Sequence, residues 1–379
     1  MKRFRETKIV SFVLTWILVG GALLLSKGNA YAQTIHSNQY LRDNNDTTQA
    51  IDRGSDYKNI MYALEQDGTV TLVSGETYNL SKSISLKSGW EINAKGATIY
   101  CPGALFKHSL SKTNYGSLKN VTIKGGKWLT TIPEGFRSTS IHFTHAQNIK
   151  LLNMTIKTTN YQGHAIELVA CKNVTIQNCK ILPKGKPGKK SVEEQIQIDI
   201  ATGTTYPAIA GTEYANGGIC KNIKIIKCTV KGNRAVCANF SPKESKYLGK
   251  FHSDITIKNC KLTGMTSEAL ALFNTSSATV TGNTIITNAP LSRESYSVGC
   301  HFHLFGNNSA SEKGKITVSN NTIKGGRQAL YFYSHSSAKY GTAIIKNNKL
   351  YCKNGQGNAL KTVSVKKVNS SNNKIYKWK

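Results

Sequence analysis

The sequence has few acidic residues for its length. Its 379 residues include 20 Asp and Glu against 50 Lys and Arg, which gives a formal net charge of +30. Proline is also scarce, with 7 residues, so collagen-like and proline-rich structures are excluded. Hydrophobic residues make up 39% of the chain, a share too high for a disordered polycation. The charge therefore predicts a folded protein with a polyanionic partner: nucleic acid, an acidic polysaccharide, teichoic acid or an anionic membrane surface.

Long apolar runs are absent except at the N terminus. Positive residues between Lys2 and Lys8 precede an apolar run over residues 9–25, and residues 30–32 match a small-x-small cleavage site. This pattern predicts a secretory signal peptide over residues 1–32, so we expect a secreted, extracellular protein that can associate with the cell wall. An uncleaved membrane anchor is the alternative, since the run is just long enough to span a bilayer. With no second such run, we expect no stable membrane span once the signal peptide is removed.

Export also narrows the choice of partner. Residues 1–32 carry five positive charges and one negative charge, so their removal takes the net charge from +30 to +26. Outside the cell, nucleic acid is not expected as a partner. The remaining charge favours an acidic polysaccharide or an anionic cell-wall polymer. No sequence pattern indicates the oligomeric state.

The nine cysteines include no Cys-x-x-Cys pair, so the usual spacing of a zinc site is absent. Because their number is odd, an exported chain would keep at least one free thiol unless chains are cross-linked. Several of them fall on one position of a repeat, where a small buried filler is the simplest role.

The main feature of the sequence is a short repeated motif. Two apolar residues two apart are followed by Asn, Cys or Gly and a further apolar residue, as in VTIQNCKI at Val174 and ITIKNCKL at Ile255. The motif occurs ten times, at intervals of 23 to 49 residues. Alternating Val, Ile and Thr predict β-strands, and a recurrence near 25 residues predicts one such strand in each coil of a solenoid. We therefore predict an all-β fold: a single-stranded, right-handed parallel β-helix of about ten coils.

The sixth position of the motif predicts a ladder of stacked side chains at one corner of the coils. Its members are Cys179, Cys228, Cys260, Asn283, Asn321, Asn348 and Asn373. Residues 33–55 are polar and resemble a linker. Residues 56–67 predict a short helix, with Asp56 as its cap, that covers the N-terminal end of the solenoid. The β-helix domain is then predicted over residues 56–379.

The helix, the ladder and these strands resemble the pectate-lyase-like right-handed parallel β-helix superfamily. The segments HAIELVACKNVTIQNC and EEQIQIDIAT, between residues 164 and 202, are similar to a group of secreted bacterial right-handed β-helix repeat proteins. The resemblance implies the fold and a function on polysaccharides, since the superfamily consists mainly of lyases, hydrolases and epimerases, with tailspikes and adhesins. The acidic calcium ligands of pectate lyases and the Asn-Thr-Asp strand of polygalacturonases do not occur here, so neither specific activity is implied.

A second strand of each coil directs polar residues outward. Alternation predicts inward pairs such as Ile166/Leu168 and Phe302/Leu304, and the residues between and around them form three outward columns. The middle column contains His142, Glu167, Gln197, Cys237, Ala271, His303 and Tyr331. The following column contains Thr144, Val169, Asp199, Asn239, Phe273, Phe305 and Tyr333. The preceding column begins with His164, Glu194, Arg234 and Glu268.

Neighbouring coils lie about 4.8 Å apart, so these columns predict a catalytic cluster. Its candidate members are His142, His164, Glu167, Glu194, Gln197, Asp199 and Arg234. In a lyase, His142 or His164 would be the base, and Arg234 or a bound Ca²⁺ would stabilise the enolate-like intermediate. In a glycoside hydrolase, two of the three carboxylates would act as acid and base. Glu167, Glu194 and Asp199 are also the candidate Ca²⁺ ligands.

Further along the same face, aromatic and basic residues predict contacts with the substrate. The candidates are Asn239, His301, His303, Tyr331, Tyr333, Lys189 and Lys190. The aromatic residues would stack on sugar rings, or would form a ladder that only stabilises the sheet. The two lysines belong to a basic loop that would hold an acidic chain over the cluster. The alternative to an enzyme is a non-catalytic β-helix that binds cell-wall polymers or glycans through charge and aromatic stacking.

Overall fold

The structure is a computed structural model that describes residues 33–37, 55–131, 139–158, 163–183, 193–239, 249–293, 296–305, 312–335 and 338–378. The signal peptide predicted over residues 1–32 and residues 38–54 of the predicted linker lie outside the described residues. Within the described part of the chain, no helix has the length and apolar character needed to cross a bilayer.

Three parallel sheets of 12, 11 and 10 strands form the molecule. Sheet 1 contains β1 (Gln33–Ile35), β2 (Thr69–Leu72), β5 (Glu91–Asn93), β8 (Leu118–Lys124), β11 (Ala146–Leu152), β14 (Lys172–Gln177), β17 (Lys221–Ile226), β20 (Ser253–Lys258), β23 (Ala278–Thr281), β26 (Lys315–Ser319), β29 (Tyr340–Lys346) and β32 (Val365–Ser371). Sheet 2 contains β3 (Thr77–Asn79), β6 (Thr98–Cys101), β9 (Lys127–Thr130), β12 (Thr155–Thr158), β15 (Lys180–Pro183), β18 (Thr229–Gly232), β21 (Lys261–Gly264), β24 (Thr284–Thr287), β27 (Thr322–Gly325), β30 (Lys349–Cys352) and β33 (Lys374–Lys377). Sheet 3 contains β4 (Ile84–Ser85), β7 (Phe106–Lys107), β10 (Ile141–Thr144), β13 (Ile166–Val169), β16 (Glu194–Asp199), β19 (Arg234–Ala238), β22 (Leu270–Phe273), β25 (Val298–Leu304), β28 (Gln328–Ser334) and β31 (Leu360–Thr362).

The chain visits the three sheets in turn, and every strand pairs in parallel with its counterpart in the next coil. Ten coils supply one strand to each sheet, and a last partial coil ends with β33. This arrangement is a parallel β-helix and confirms the predicted fold class. In the described residues, the 3-10 turn Pro207–Ile209 lies between β16 and β17, and the 3-10 turn Gln356–Asn358 lies between β30 and β31.

The core lies between the three sheets, where each strand directs its apolar side chains. In sheet 1, Ile149, Val174, Ile223 and Ile255 pair in register from coil to coil, and each is completely buried. β-Branched side chains pack well on a pleated surface, so the Val- and Ile-rich motif both favours the strand and fills the core. The repeated motif therefore corresponds to the strands of sheet 1 and the corner that follows them.

At that corner, the residues at the sixth position of the motif form the predicted ladder. Asn178 and Asn259 adopt left-handed conformations with φ of 55°, which Asn tolerates better than most residues. The next residue then points inward: the Nδ2 atom of Asn321 donates to Oδ1 of Asn348 at 3.0 Å and to the carbonyl of Val280 at 2.9 Å. Cysteines occupy the same place in earlier coils, and all nine cysteines of the chain are buried and free.

One α-helix of the described residues, α1 (Asp56–Asp67), contacts β1, β2 and β3 at the N-terminal end of the solenoid, as predicted for a capping element. Its cap is Ser55, whose hydroxyl accepts from the Lys58 amide at 3.3 Å. The predicted cap, Asp56, instead accepts a hydrogen bond from the Asn79 amide at 2.6 Å, which ties the helix to sheet 2. Part of the predicted linker is also ordered, because Gln33–Ile35 adds a strand to the edge of β2 and buries Ile35.

Candidate functional site

The candidate site is the outer face of sheet 3 from β10 to β28. The register brings His142, Glu167 and Gln197 side by side in the middle column, as the alternation predicted. Glu194 pairs with Arg234 in the preceding column. Most of these outward side chains are nevertheless buried, because neighbouring polar side chains and the connections between coils cover them.

The predicted register is wrong by two residues in β25. The structure directs Cys300 and Phe302 inward and places His301 in the middle column, between Ala271 and Tyr331. His303 moves to the following column, next to Tyr333, where Phe305 was expected. The strand reads VGCHFHL, so alternation alone fits two inward pairs equally well. Pairing with the coils on either side decides between them.

His142 and Glu167 form a hydrogen-bonded pair at the start of the site. The Nδ1 atom of His142 lies 2.9 Å from Oε2 of Glu167, which also accepts from the hydroxyl of Thr139 at 2.9 Å. Tyr206, from the long connection after β16, stacks on His142 with ring centroids 4.0 Å apart. Burial by itself would raise the pKa of Glu167, but its hydrogen bond and charge interaction with His142, together with His164, lower the pKa below its usual value. The ionised carboxylate is therefore favoured.

Arg234 lies between two buried carboxylates. It donates from Nη1 to Glu194 at 2.7 Å, and from Nε and Nη2 to Glu268 at 3.0 and 2.8 Å. Glu268 also contacts Nδ1 of His301 at 3.2 Å. Burial would raise the pKa of Glu268, but the charge of Arg234 and the hydrogen bond with His301 hold it at about 2. Three of its five N–H groups are engaged by these carboxylates, which compensate its charge, so Arg234 positions the cluster and is poorly placed to bind a substrate anion.

Glu268 is the member of this network that the candidate cluster omitted, although it follows Arg234 in the preceding column. The sequence contained one indication of its role, which is that an acidic residue one coil away from an arginine in the same column can pair with it. Tyr206 was missed because it lies in a connection with no strand pattern. Its contact with His142 arises only when that connection folds back over sheet 3.

His164 has a different environment. Its Nδ1 atom lies 3.0 Å from the main-chain carbonyl of Glu194, and 3.6 Å from the Glu194 carboxylate. A carbonyl can only accept, so Nδ1 carries the proton and Nε2 of the neutral ring has a lone pair. The side chain of His164 is 17% exposed, so part of the ring is open to a ligand.

Asp199 is completely buried, although it belongs to an outward column. Its carboxyl accepts from Nε2 of Gln197 at 2.7 Å and from Nδ2 of Asn239 at 3.0 Å. Burial, reinforced by the charges of Glu167 and Glu194, raises the pKa of Asp199 well above its usual value. Glu167 and Asp199 therefore favour opposite protonation states, the combination expected of a base and an acid.

The buried carboxyl predicts a pH-dependent stability for the Asp199→Asn variant. The folded-state pKa of Asp199 is raised, so its contribution to stability is greatest below the unfolded pKa of about 3.9 and declines as pH rises toward the folded value. Asparagine cannot ionise. The free energy of unfolding of the variant should therefore rise relative to that of the wild type as pH increases above ~4. We expect a total difference of about 1.4 kcal/mol for each unit by which folding raises the pKa, measured by denaturant unfolding at a series of pH values.

Glu268 serves as a control, because its contribution to stability changes with pH in the opposite direction. Its pKa of about 2 means that its contribution is complete above the unfolded pKa of about 4.3 and is lost as pH falls toward 2. A difference between Asp199→Asn and the wild type that stayed constant across this pH range would contradict the assignment of a raised pKa to Asp199.

The far end of the face is a platform of rings. His301 stacks on Tyr331 with centroids 5.3 Å apart, and Tyr331 on Tyr333 at 5.6 Å. His303 lies 4.6 Å from His335, and burial together with the neighbouring histidines lowers the pKa of His303 to about 3, which keeps it neutral. Tyr331 and Tyr333 are partly exposed, so a ligand can reach them. Lys189 and Lys190, also predicted to bind substrate, lie outside the described residues.

The three candidate Ca²⁺ ligands are each engaged by another side chain. Among the described residues, no group of three His, Cys, Asp or Glu side chains is arranged to hold a metal ion. Glu194 is engaged by Arg234, Glu167 by His142, and Asp199 by two amide groups.

Comparison with solved structures identifies the fold. The chain is similar to the surface adhesin PfbA of Streptococcus pneumoniae, with 15% identity, a TM-score of 0.57, and 86% of this chain and 89% of that chain covered. The A-module of mannuronan C-5 epimerase AlgE6 from Azotobacter vinelandii matches at 12% identity and a TM-score of 0.43, covering 86% and 96%. The polygalacturonase of Erwinia carotovora matches at 12% identity and a TM-score of 0.42, covering 87% and 95%.

By sequence, no family model and no curated protein matches the chain. At 15% identity, the structural likeness establishes the fold and not the activity. The chain has the right-handed parallel β-helix fold that the resemblance implied.

Proposed function

We propose that this right-handed parallel β-helix protein is a secreted glycoside hydrolase that binds a glycan along the outer face of sheet 3. One observation carries the proposal: hydrogen-bonded groups of side chains around Glu167, Asp199 and Arg234 cover consecutive coils of this face and adjoin a platform of rings. A sheet that only had to be soluble would not need buried carboxylates on its outer face, because burying them costs free energy unless each is paired.

Glu167 and Asp199 are the proposed base and acid. Asp199 would donate its proton to the glycosidic oxygen as the bond from that oxygen to the anomeric carbon breaks. Glu167 would take a proton from the water molecule whose oxygen bonds to that carbon. The two residues lie diagonally on adjacent coils, and strand geometry places their Cα atoms about 8 Å apart.

The substrate must reach Asp199, which is covered by Gln197 and Asn239. Asn239 is partly exposed, and its amide donates to the Asp199 carboxyl, which in the reaction would itself have to donate to the glycosidic oxygen. Binding would therefore exchange the Asn239 contact for a contact with the glycan. His164 is available for a sugar hydroxyl, and Tyr331 and Tyr333 offer ring faces to a neighbouring sugar.

The local charge favours an uncharged sugar at the cleavage position. Three glutamates, Glu167, Glu194 and Glu268, lie close to a single arginine, so the cluster is acidic within a basic protein. The acidic polysaccharide predicted from the whole chain would be repelled at this position. A lyase is less well supported for the same reason, because Arg234 is not free to stabilise an anionic intermediate.

The test is to incubate the full chain with neutral and acidic glycans and to measure new reducing ends, unsaturated uronate products and binding. We expect reducing ends from a neutral glycan, without unsaturated products. Unsaturated products would show a lyase and overturn the proposal. Binding without either product would show a non-catalytic glycan-binding protein and would also overturn it.

A further inference from the structure

The outer face of sheet 1 has a composition unlike that of sheet 3. Its strands β8, β11, β14 and β17 contain six lysines, no acidic residue and no aromatic residue. They line a groove with a volume of about 430 Å³ that runs along the solenoid. This groove is outside the proposed catalytic face and is not used by the proposed reaction.

A ladder of exposed and partly exposed asparagines forms the floor of the groove. Asn148 donates to Asn120 at 2.8 Å, Asn173 to Asn148 at 3.0 Å, and Asn222 to Asn173 at 2.8 Å. Each of these amide groups has two hydrogens, and the ladder uses one of them. The second is available to an acceptor that follows the groove from coil to coil.

Lysines flank the ladder on both sides. Lys119, Lys172 and Lys221 each directly precede a ladder asparagine, and Lys150 and Lys224 lie two residues after one. Register places Lys150 and Lys224 two coils apart on the same column, about 10 Å along the axis. In the described part of the chain, these five lysines form no ion pair with a carboxylate. Such a row of unneutralised charges favours a ligand with repeated negative charge.

We propose that this groove, the sheet 1 groove, binds a linear phosphodiester polymer that carries no aromatic bases. Charge complementarity indicates a polyanion. The cations are all lysines, whose compact ammonium groups bind phosphate as point charges. None of the residues that line the groove is aromatic, so its floor offers no ring on which the bases of a nucleic acid would stack. Phosphate oxygens would accept from the lysines and from the free amide hydrogens of the asparagines.

The proposal gives the two faces separate tasks. Sheet 1 would attach the protein to an anionic polymer, while the acidic cluster of sheet 3 acts on a glycan. It also accounts for the high positive charge of the chain without requiring an anionic substrate at the carboxylates.

The experiment measures binding of the full chain to a linear poly(glycerol phosphate) at several salt concentrations. The double variant Lys150→Gln/Lys224→Gln should bind about tenfold or more weakly, and the slope of log affinity against log salt should decrease by about 2. The matched control is Lys157→Gln/Lys231→Gln on sheet 2, which removes the same charge from the same two coils. It should bind almost as well as the wild type.

An equal loss in the control variant would overturn the proposal, because binding would then depend on net charge and not on this groove. Tighter binding of single-stranded DNA or polygalacturonate than of poly(glycerol phosphate) would also overturn it. Thermal unfolding should confirm that both double variants are folded. The Glu167→Gln variant should retain polymer binding whether or not the protein is a hydrolase, so this test is independent of the proposed function.

Discussion

Replacing Arg234 with alanine is expected to lower the free energy of unfolding by about 3–5 kcal/mol. Arg234 donates three hydrogen bonds to Glu194 and Glu268, and all three side chains are almost completely buried. Without the guanidinium, two buried carboxylates lose the positive charge that they share in a region of low dielectric constant. Denaturant-induced unfolding of wild type and variant at neutral pH measures the difference.

The control is Lys124→Ala, which breaks an ion pair with Glu91 on the outer face of sheet 1. These side chains are 43% and 39% exposed, so the expected cost is about 0–1 kcal/mol. The Arg234→Ala penalty should also shrink at acidic pH, because Glu268 then takes up a proton more readily than it does beside Arg234. A cost for Arg234→Ala no larger than that of the control would show that the network does not stabilise the fold.

The second large effect is on catalysis. Glu167→Gln should lower the kcat of glycan cleavage by about 10²–10⁴-fold, the usual contribution of a general base. Glutamine has nearly the same shape, and its carbonyl can still accept from His142, so the site should keep its geometry. Initial rates of reducing-end release across a range of glycan concentrations separate kcat from KM, and KM should change little.

Glu91→Gln is the matched control for this variant, since it makes the same substitution on a different sheet. It should leave kcat unchanged. Turnover by Glu167→Gln at the wild-type rate would remove Glu167 from the reaction. A rise in KM with unchanged kcat would indicate that Glu167 only binds the glycan.

The fold could be predicted because its determinants are local and repeated. The Val- and Ile-rich motif specifies strands whose inward side chains meet themselves one coil later, as Ile149, Val174 and Ile223 do. A residue such as Asn321 then stacks on its counterpart in the next coil, and this contact does not depend on the sequence of the rest of the coil. A β-helix thus converts a one-dimensional repeat directly into contacts between neighbouring coils.

The candidate site could be predicted only in outline. Alternation brought His142, Glu167 and Gln197 together correctly, because neighbours within a column depend only on register. It failed at His301 and His303, where the apolar pattern of β25 fits two registers. It also gave no indication that Tyr206 covers His142, since that contact depends on how a long connection folds.

The sequence by itself determined the solenoid, the ladder at its corner and the columns of outward side chains, because all three follow from periodicity. The tertiary structure alone decided which charges are paired and buried. Arg234 was expected to face a substrate, but it is held between Glu194 and Glu268. Asp199 is buried and accepts hydrogen bonds from the two amide side chains that cover it. Burial and pairing depend on distances across coils and on the connections that cover them, and those distances set the protonation states on which the proposed chemistry depends.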